Sequence, residues 1–153
     1  VIQLLAPLKC TLLVCDILDK SEFCQKHNAT QINLENLIAK SDLISMHVPH
    51  TSLTDKMVNH KFLDQMKPTS FLINTCRGNV VDQSALKNAL IKGDIAGAAL
   101  DVFAEEPPTD EELLSLSNLM VTPHIGGNAK EAVEAMGRSA IDHLIAFFND
   151  PHK

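Results

Sequence analysis

Arg77, Glu106 and His124 stand out as residues able to do chemistry, because each follows a short apolar run that stops abruptly in polar residues. Arg77 lies in NTCRGNVVD, where Gly78 lets the backbone turn sharply and the guanidinium can offer a planar fork to a carboxylate. His124 sits between Pro123 and Ile125, ahead of Gly126, Gly127 and a helix start, and Glu106 precedes Pro107 and Pro108. Singly, each has an ordinary reading: a surface ion pair, a structural imidazole, an exposed acidic turn. Together they supply an anion-binding fork, an imidazole that can carry a proton, and a carboxylate that can orient it and favour its charged form. Such a set suits reversible reduction of a 2-oxo acid. Hydride would come from a cofactor, and His124 would give a proton to the developing alkoxide.

These residues can meet only if several strand ends are brought together, and the periodicity supplies such a frame. Leu12–Cys15, Leu43–Val48, Ser70–Asn74, Ile95–Val102 and Leu119–Thr122 read as short strands buried on both faces, with a weaker edge strand at Thr30–Ile32. Helices alternate with them: over Leu34–Lys40 capped by Asn33, two turns after Asn59, and a helix from Asp82 to Gly93 with Ala85, Leu86, Ala89 and Leu90 inward. Thr109 with Glu112, and Asn128 with Glu131, have the spacing of capping boxes, the second opening an amphipathic helix that runs to Phe148. Val1, Leu4, Leu5 and Leu8 form an apolar stripe at helical spacing. This alternation predicts an α/β fold with a doubly wound parallel sheet, whose ligands bind beyond the carboxyl ends of the strands.

At those ends Asp16 follows the first strand, and Asp101 closes the fourth major one. A carboxylate at the position of Asp16 can accept hydrogen bonds from both ribose hydroxyls of an adenine nucleotide. Its neighbours Ile17 and Leu18 offer no Arg for a 2′-phosphate, which favours NAD over NADP. His47 and His50 form an H-x-x-H, but Pro49 breaks any helix that would align them, so no metal is expected.

Composition narrows the remaining classes. The 153 residues suit one domain, with 45% apolar and 21% charged residues near the averages of soluble proteins. A net charge of -6 disfavours nucleic acid and anionic lipid as partners, and no apolar run reaches the roughly 20 residues of a membrane span. Cys10, Cys15, Cys24 and Cys76 lack metal or disulfide spacing and read as reduced thiols, with a cytoplasmic location expected.

Three longer stretches, SDLISMHVPHTSLTDKMVN, FLINTCRGNVVDQSALKNALIKGDIAGAALDVFAEEPP and NLMVTPHIGGNAKEA, resemble in order and spacing the signatures of the D-isomer-specific 2-hydroxyacid dehydrogenases. Phosphoglycerate dehydrogenases and hydroxypyruvate reductases look nearest. The resemblance implies a Rossmann-like NAD-binding domain, with Arg77 binding the substrate carboxylate and carbonyl, His124 as acid/base and Glu106 as its partner. It further implies Asp16 on the ribose, Asp101 towards the nicotinamide, and Val48, Pro49, Thr54, Thr75, Cys76, Gly126 and Gly127 beside the dinucleotide. The family's first strand and glycine-rich loop would precede Val1, so VIQLLAPLK reads as the tail of a cut helix. Residues 1–149 then form a partial NAD-binding domain, 150–153 begin a return to an absent substrate domain, and the isolated chain is expected to bind NAD poorly. Partners would be a small 2-hydroxy or 2-oxo acid and further copies of the chain, as dimer or tetramer when full length. A relative in another class, an NAD-sensing corepressor-like module without turnover, shares the same motifs.

Overall fold

The computed structural model describes residues 1–149. Its strands are short and all parallel. β1 (Leu12–Val14) pairs with β2 (Ala29–Gln31), while β3 (Leu43–Met46), β4 (Phe71–Asn74), β5 (Gly97–Leu100) and β6 (Leu119–Val121) form a second sheet in that order. Met46 lies opposite Asn74, Asn74 opposite Leu100, and Leu100 opposite Val121, so the four strands finish level. The polar residues that follow them therefore share one edge of the sheet, which is the placement a site at the carboxyl ends requires. The edges of β1 and β3 are not laddered to one another.

Helices α1 (Ile2–Leu5), α2 (Ser21–Lys26), α3 (Leu34–Lys40), α4 (His60–Leu63), α5 (Gln83–Lys92), α6 (Glu111–Leu114) and α7 (Lys130–Phe148) connect and follow the strands. Asn33 and Asp82 cap α3 and α5 as expected, and Asn59 caps α4, each side chain accepting a backbone N–H of the first turn. Gly93 closes α5 at φ 74°, a left-handed conformation that favours glycine. Asp82 accepts from both Ser84 and Ala85, so Asp82→Ala is expected to cost about 1 kcal/mol, read as a lowered denaturation midpoint with an unchanged slope.

Four details differ from the sequence expectation. The cap of α6 is Asp110 rather than Thr109: its carboxylate accepts from Leu113 N at 3.0 Å and is held from the other side by Lys87 Nζ at 2.8 Å. Asn128 does not cap α7, whose N-cap is Ala129 with no side-chain bond; the Asn128 amide donates instead to the His124 carbonyl at 3.4 Å. Helix α2 is additional, a short polar helix that buries only Cys24 and so carries little periodic signal. Helix α4 is a single α-helical turn: Asp64 N still bonds the His60 carbonyl, but Gln65 N and Met66 N then bond the Phe62 and Leu63 carbonyls only three residues back, a tighter turn that ends the helix ahead of Pro68.

Burial is also one-sided. A core of Leu63, Leu72, Leu86, Ile95 and Leu113 lies between α4, α5 and the second sheet, and the four residues expected to face inward from α5 are all buried. Along β3 and β4, however, Ile44, Met46, Leu72 and Asn74 are buried while Leu43 and Phe71 are exposed. β1 is only half-buried throughout. Helix α7 buries none of its residues, and the stripe of Val1, Leu4 and Leu8 is likewise exposed. A stripe is buried only when a complementary face meets it, and none does among the described residues. Residues 150–153, read as the start of a return segment, lie outside the described residues.

Candidate active site

The site begins with β4 and the turn after it. Asn74 points into the core at 0% exposure, out of keeping with its apolar strand, and its side chain explains why. Its amide donates to the Arg77 carbonyl at 2.9 Å and its oxygen accepts from Cys76 N at 3.1 Å, so the chain is folded tightly over the strand end. Arg77 is left exposed, with Nη1 donating to the Cys76 carbonyl at 2.5 Å. Gly78 is needed for a reason other than the sharp turn expected of it. A Cβ there would lie 1.9 Å from the Phe103 carbonyl carbon and 2.4 Å from Ala104 N, so glycine is what lets two backbone segments touch.

That contact brings the turn after β5 beside Arg77. Glu106 Oε1 accepts from Phe103 N at 2.9 Å, and Oε2 lies 2.8 Å from His124 Nδ1. An ionised carboxylate can only accept, so Nδ1 carries the proton, and Nε2 is the ring nitrogen without a partner among the described residues. The His124 ring, and secondly the Phe103 amide, hold the Glu106 carboxyl below the usual carboxylate range. His124 itself has φ 52°, a left-handed conformation that His tolerates better than most residues.

Asp101 builds the loop that carries His124. It is buried, and its Oδ1 accepts from Thr122 Oγ1 at 2.5 Å and Ile125 N at 2.9 Å, while Oδ2 accepts from Gly126 N at 2.9 Å. Burial pushes its carboxyl pKa up, but the bonds from Thr122, Gly126 and Ile125 outweigh that and leave it lowered. For both Asp101 and Glu106 the native pKa lies under the unfolded one. Their stabilisation is therefore present above the ordinary carboxylate pKa and lost as pH falls through the depressed values. Asp101→Leu removes the acceptor of the Ile125 and Gly126 N–H groups and of the Thr122 hydroxyl, and is expected to cost about 1–3 kcal/mol in all. Asp101→Asn keeps one oxygen and should cost less. Acid titration of each variant checks this: the wild type alone should show a stability loss in the acid limb that traces to this position.

Arg77, Glu106 and His124 together line one cavity of about 300 Å³, with His50, Gly78 and Phe103 also in its wall. A second cavity of about 580 Å³ is lined by His47, Val48, Pro49, His50, Cys76 and Arg77. His50 and Arg77 belong to both, so the two cavities are neighbours. Asp16 stands apart at the end of β1, exposed, with Oδ1 accepting from Leu18 N at 2.9 Å. Thr54 spends its hydroxyl inside its own loop, donating to the Pro49 carbonyl at 2.6 Å. Thr75, Gly126 and Gly127 are exposed and line neither cavity. His47 and His50 bond to different partners, Ser45 and Asp55, and no group of three potential metal ligands is found among the described residues. Among those residues no helix is long and apolar enough to cross a membrane. Sequence reasoning gave no role to Asn74, Thr122 or His50; a polar residue closing an apolar strand was the available signal for the first two.

Residues 1–126 match the family model described as the NAD-binding domain of D-isomer-specific 2-hydroxyacid dehydrogenases. The chain belongs to that family. As a 2-hydroxyacid dehydrogenase family member it is 48% identical over 128 residues to the glyoxylate reductase of Thermococcus litoralis, covering 84% of this chain and 39% of that protein. It is 43% identical over 119 residues to the glycerate dehydrogenase of Methylorubrum extorquens, covering 76% and 38%. Among solved structures, the apo form of D-mandelate dehydrogenase from Rhodotorula graminis superposes with a TM-score of 0.86 at 33% identity, over 94% of this chain and 42% of that one. The NAD-complexed D-isomer-specific 2-hydroxyacid dehydrogenase of Lactobacillus delbrueckii gives 0.82 at 26% identity, over 95% and 47%. The chain thus spans about two fifths of the length of the curated relatives it matches. The matched region contains every member of the Arg77, Glu106 and His124 set and ends before Gly127 and α7.

Proposed function

We propose that this chain supplies the cofactor-binding and proton-transfer half of an NAD-dependent oxidoreductase that interconverts a D-2-hydroxy acid and a 2-oxo acid. The observation that carries the reading is the 2.8 Å contact between His124 Nδ1 and Glu106 Oε2 in a cavity shared with Arg77. The cofactor, when bound, supplies or accepts the hydride. The chain's own residues fit it. The neighbouring cavities lie beyond the level ends of β3 and β4, and Asp16 Oδ2, which has no partner among the described residues, can accept from a ribose diol. Val48, Pro49 and Cys76 would wall the dinucleotide, and Thr75, Gly126 and Gly127 would lie beside it. Thr54 would serve it by holding the Pro49 backbone in place. Asp101 Oδ2, with one donor so far, retains acceptor capacity towards a nicotinamide amide.

The rest of the reaction falls to three side chains. Arg77 offers parallel N–H donors to the substrate carboxylate and polarises the adjoining carbonyl. In the reductive direction the His124 imidazolium gives its Nε2 proton to the oxygen as negative charge builds there. In the oxidative direction the neutral ring takes that proton back, and Glu106 holds the ring in place through both. The test is oxidation of NADH by the full-length protein with glyoxylate, hydroxypyruvate and pyruvate as acceptors. Turnover with at least one of them, and weaker turnover with NADPH, is expected; no turnover with any 2-oxo acid rejects the proposal.

A further inference from the structure

His50 is an imidazole at the active site that the reaction above does not use. It belongs to the loop after β3, which hydrogen bonds hold both within itself and to the turn beside Arg77. Thr54 Oγ1 donates to the Pro49 carbonyl and accepts from Thr51 N at 2.8 Å, closing the chain around His50. Lys56 N donates to the Asn79 carbonyl at 2.8 Å and Val58 N to the Val80 carbonyl at 3.0 Å, lashing the loop to the turn beside Arg77. Within it, His50 Nε2 lies 2.8 Å from Asp55 Oδ1. The ring is thereby held in the wall of both cavities, next to Arg77 and in the same wall as Glu106 and His124.

We infer that His50 is a specificity-determining residue that reads the substituent on the carbon next to the substrate carbonyl, and that it favours a hydroxyl there. The inference rests on the proposed 2-oxo acid chemistry. The reasoning starts from the Asp55 carboxylate, which accepts from Nε2 and so fixes the proton on that nitrogen. The neutral ring then presents Nδ1 as an acceptor, and Nδ1 has no partner among the described residues. When the ring is protonated, its charge is balanced by Asp55, so the pair offers little net attraction to a second anionic group. Arg77 is the cation left for the substrate's own carboxylate. A hydroxyl suits both states of His50, because it can donate to Nδ1 or accept from Nδ1–H. An alkyl hydrogen in the same place leaves Nδ1 without a partner, and a site built to bond a hydroxyl discriminates against the analogue that lacks it.

Steady-state kinetics of the full-length protein with three acceptors test this: hydroxypyruvate, its deoxy analogue pyruvate, and glyoxylate, which has no third carbon. In His50→Leu, kcat/KM for hydroxypyruvate should fall about 10-fold further than for pyruvate or glyoxylate, the size expected for one lost hydrogen bond. His50→Gln keeps a side-chain acceptor and should recover part of that preference, and Asp55→Asn should weaken it by freeing the ring. Equal losses on all three acceptors in His50→Leu, or an unchanged hydroxypyruvate-to-pyruvate ratio, would overturn the inference while leaving the reaction itself intact. A wild type that reduces none of the three removes the reaction and the inference together.

Discussion

His124→Asn in the full-length protein is expected to lower kcat for 2-oxo acid reduction by about 10²–10⁴-fold, the range that a positioned acid/base contributes. KM for the 2-oxo acid should change far less, because Arg77 binds the carboxylate and is untouched. Asn is the informative replacement. At φ 52° an alanine would add backbone strain of its own, whereas Asn is among the residues that accept a left-handed conformation. A fall in rate in His124→Asn therefore reports the missing proton donor rather than a distorted loop, and an unchanged melting temperature checks that. Glu106→Gln should lose less, since it keeps one oxygen towards Phe103 N and can still contact the ring, but cannot balance its charge. Turnover of His124→Asn within a few-fold of the wild type would take His124 out of the chemistry.

The second large effect is structural in origin. Gly78→Ala puts a methyl carbon 1.9 Å from the Phe103 carbonyl carbon and 2.0 Å from its oxygen, distances no side-chain rotation can relieve because every atom involved is backbone. Either the segment carrying Arg77 or the segment carrying Glu106 has to move. Gly78 and Phe103 are both buried, so the displacement reaches the packed core around Val80 and Leu100. A loss of more than about 4 kcal/mol is expected, in the range reserved for strain of this kind. It is measured by denaturant unfolding of the full-length protein. Ala at Gly127, where a Cβ meets nothing within 4 Å and φ is not in the left-handed region, is the matched control and should be close to neutral. If Gly78→Ala folds with wild-type stability, the close approach of the two segments is not a requirement of the fold.

These two residues also mark how far the sequence could be read. Arg77, Glu106 and His124 were recognisable from residue type and from their places after apolar runs, because strand ends and turn residues follow from short-range periodicity and turn chemistry. The caps at Asn33 and Asp82 were legible for the same reason: each bond spans no more than three residues. The caps of α6 and α7 were not. At α6 a tertiary partner decided, since Lys87, far away in sequence, bonds Asp110 and Glu112; at α7 the choice stayed local, the Asn128 amide turning back to the His124 carbonyl four residues earlier instead of capping the helix.

The sequence by itself determined that strands alternate with helices, that one edge of the sheet would gather polar groups, and which three of those groups have complementary chemistry. Only the tertiary structure decided that Asp101 shapes the His124 loop through three hydrogen bonds, that Gly78 is glycine for close approach, and that His50 shares the cavity with Arg77. It also decided that no face among the described residues covers the apolar stripe of α7. The physical reason is one of range. Periodicity and capping are energies of neighbours along the chain, whereas a distance between residues on different strands depends on how the strands register and pack, which no local pattern encodes.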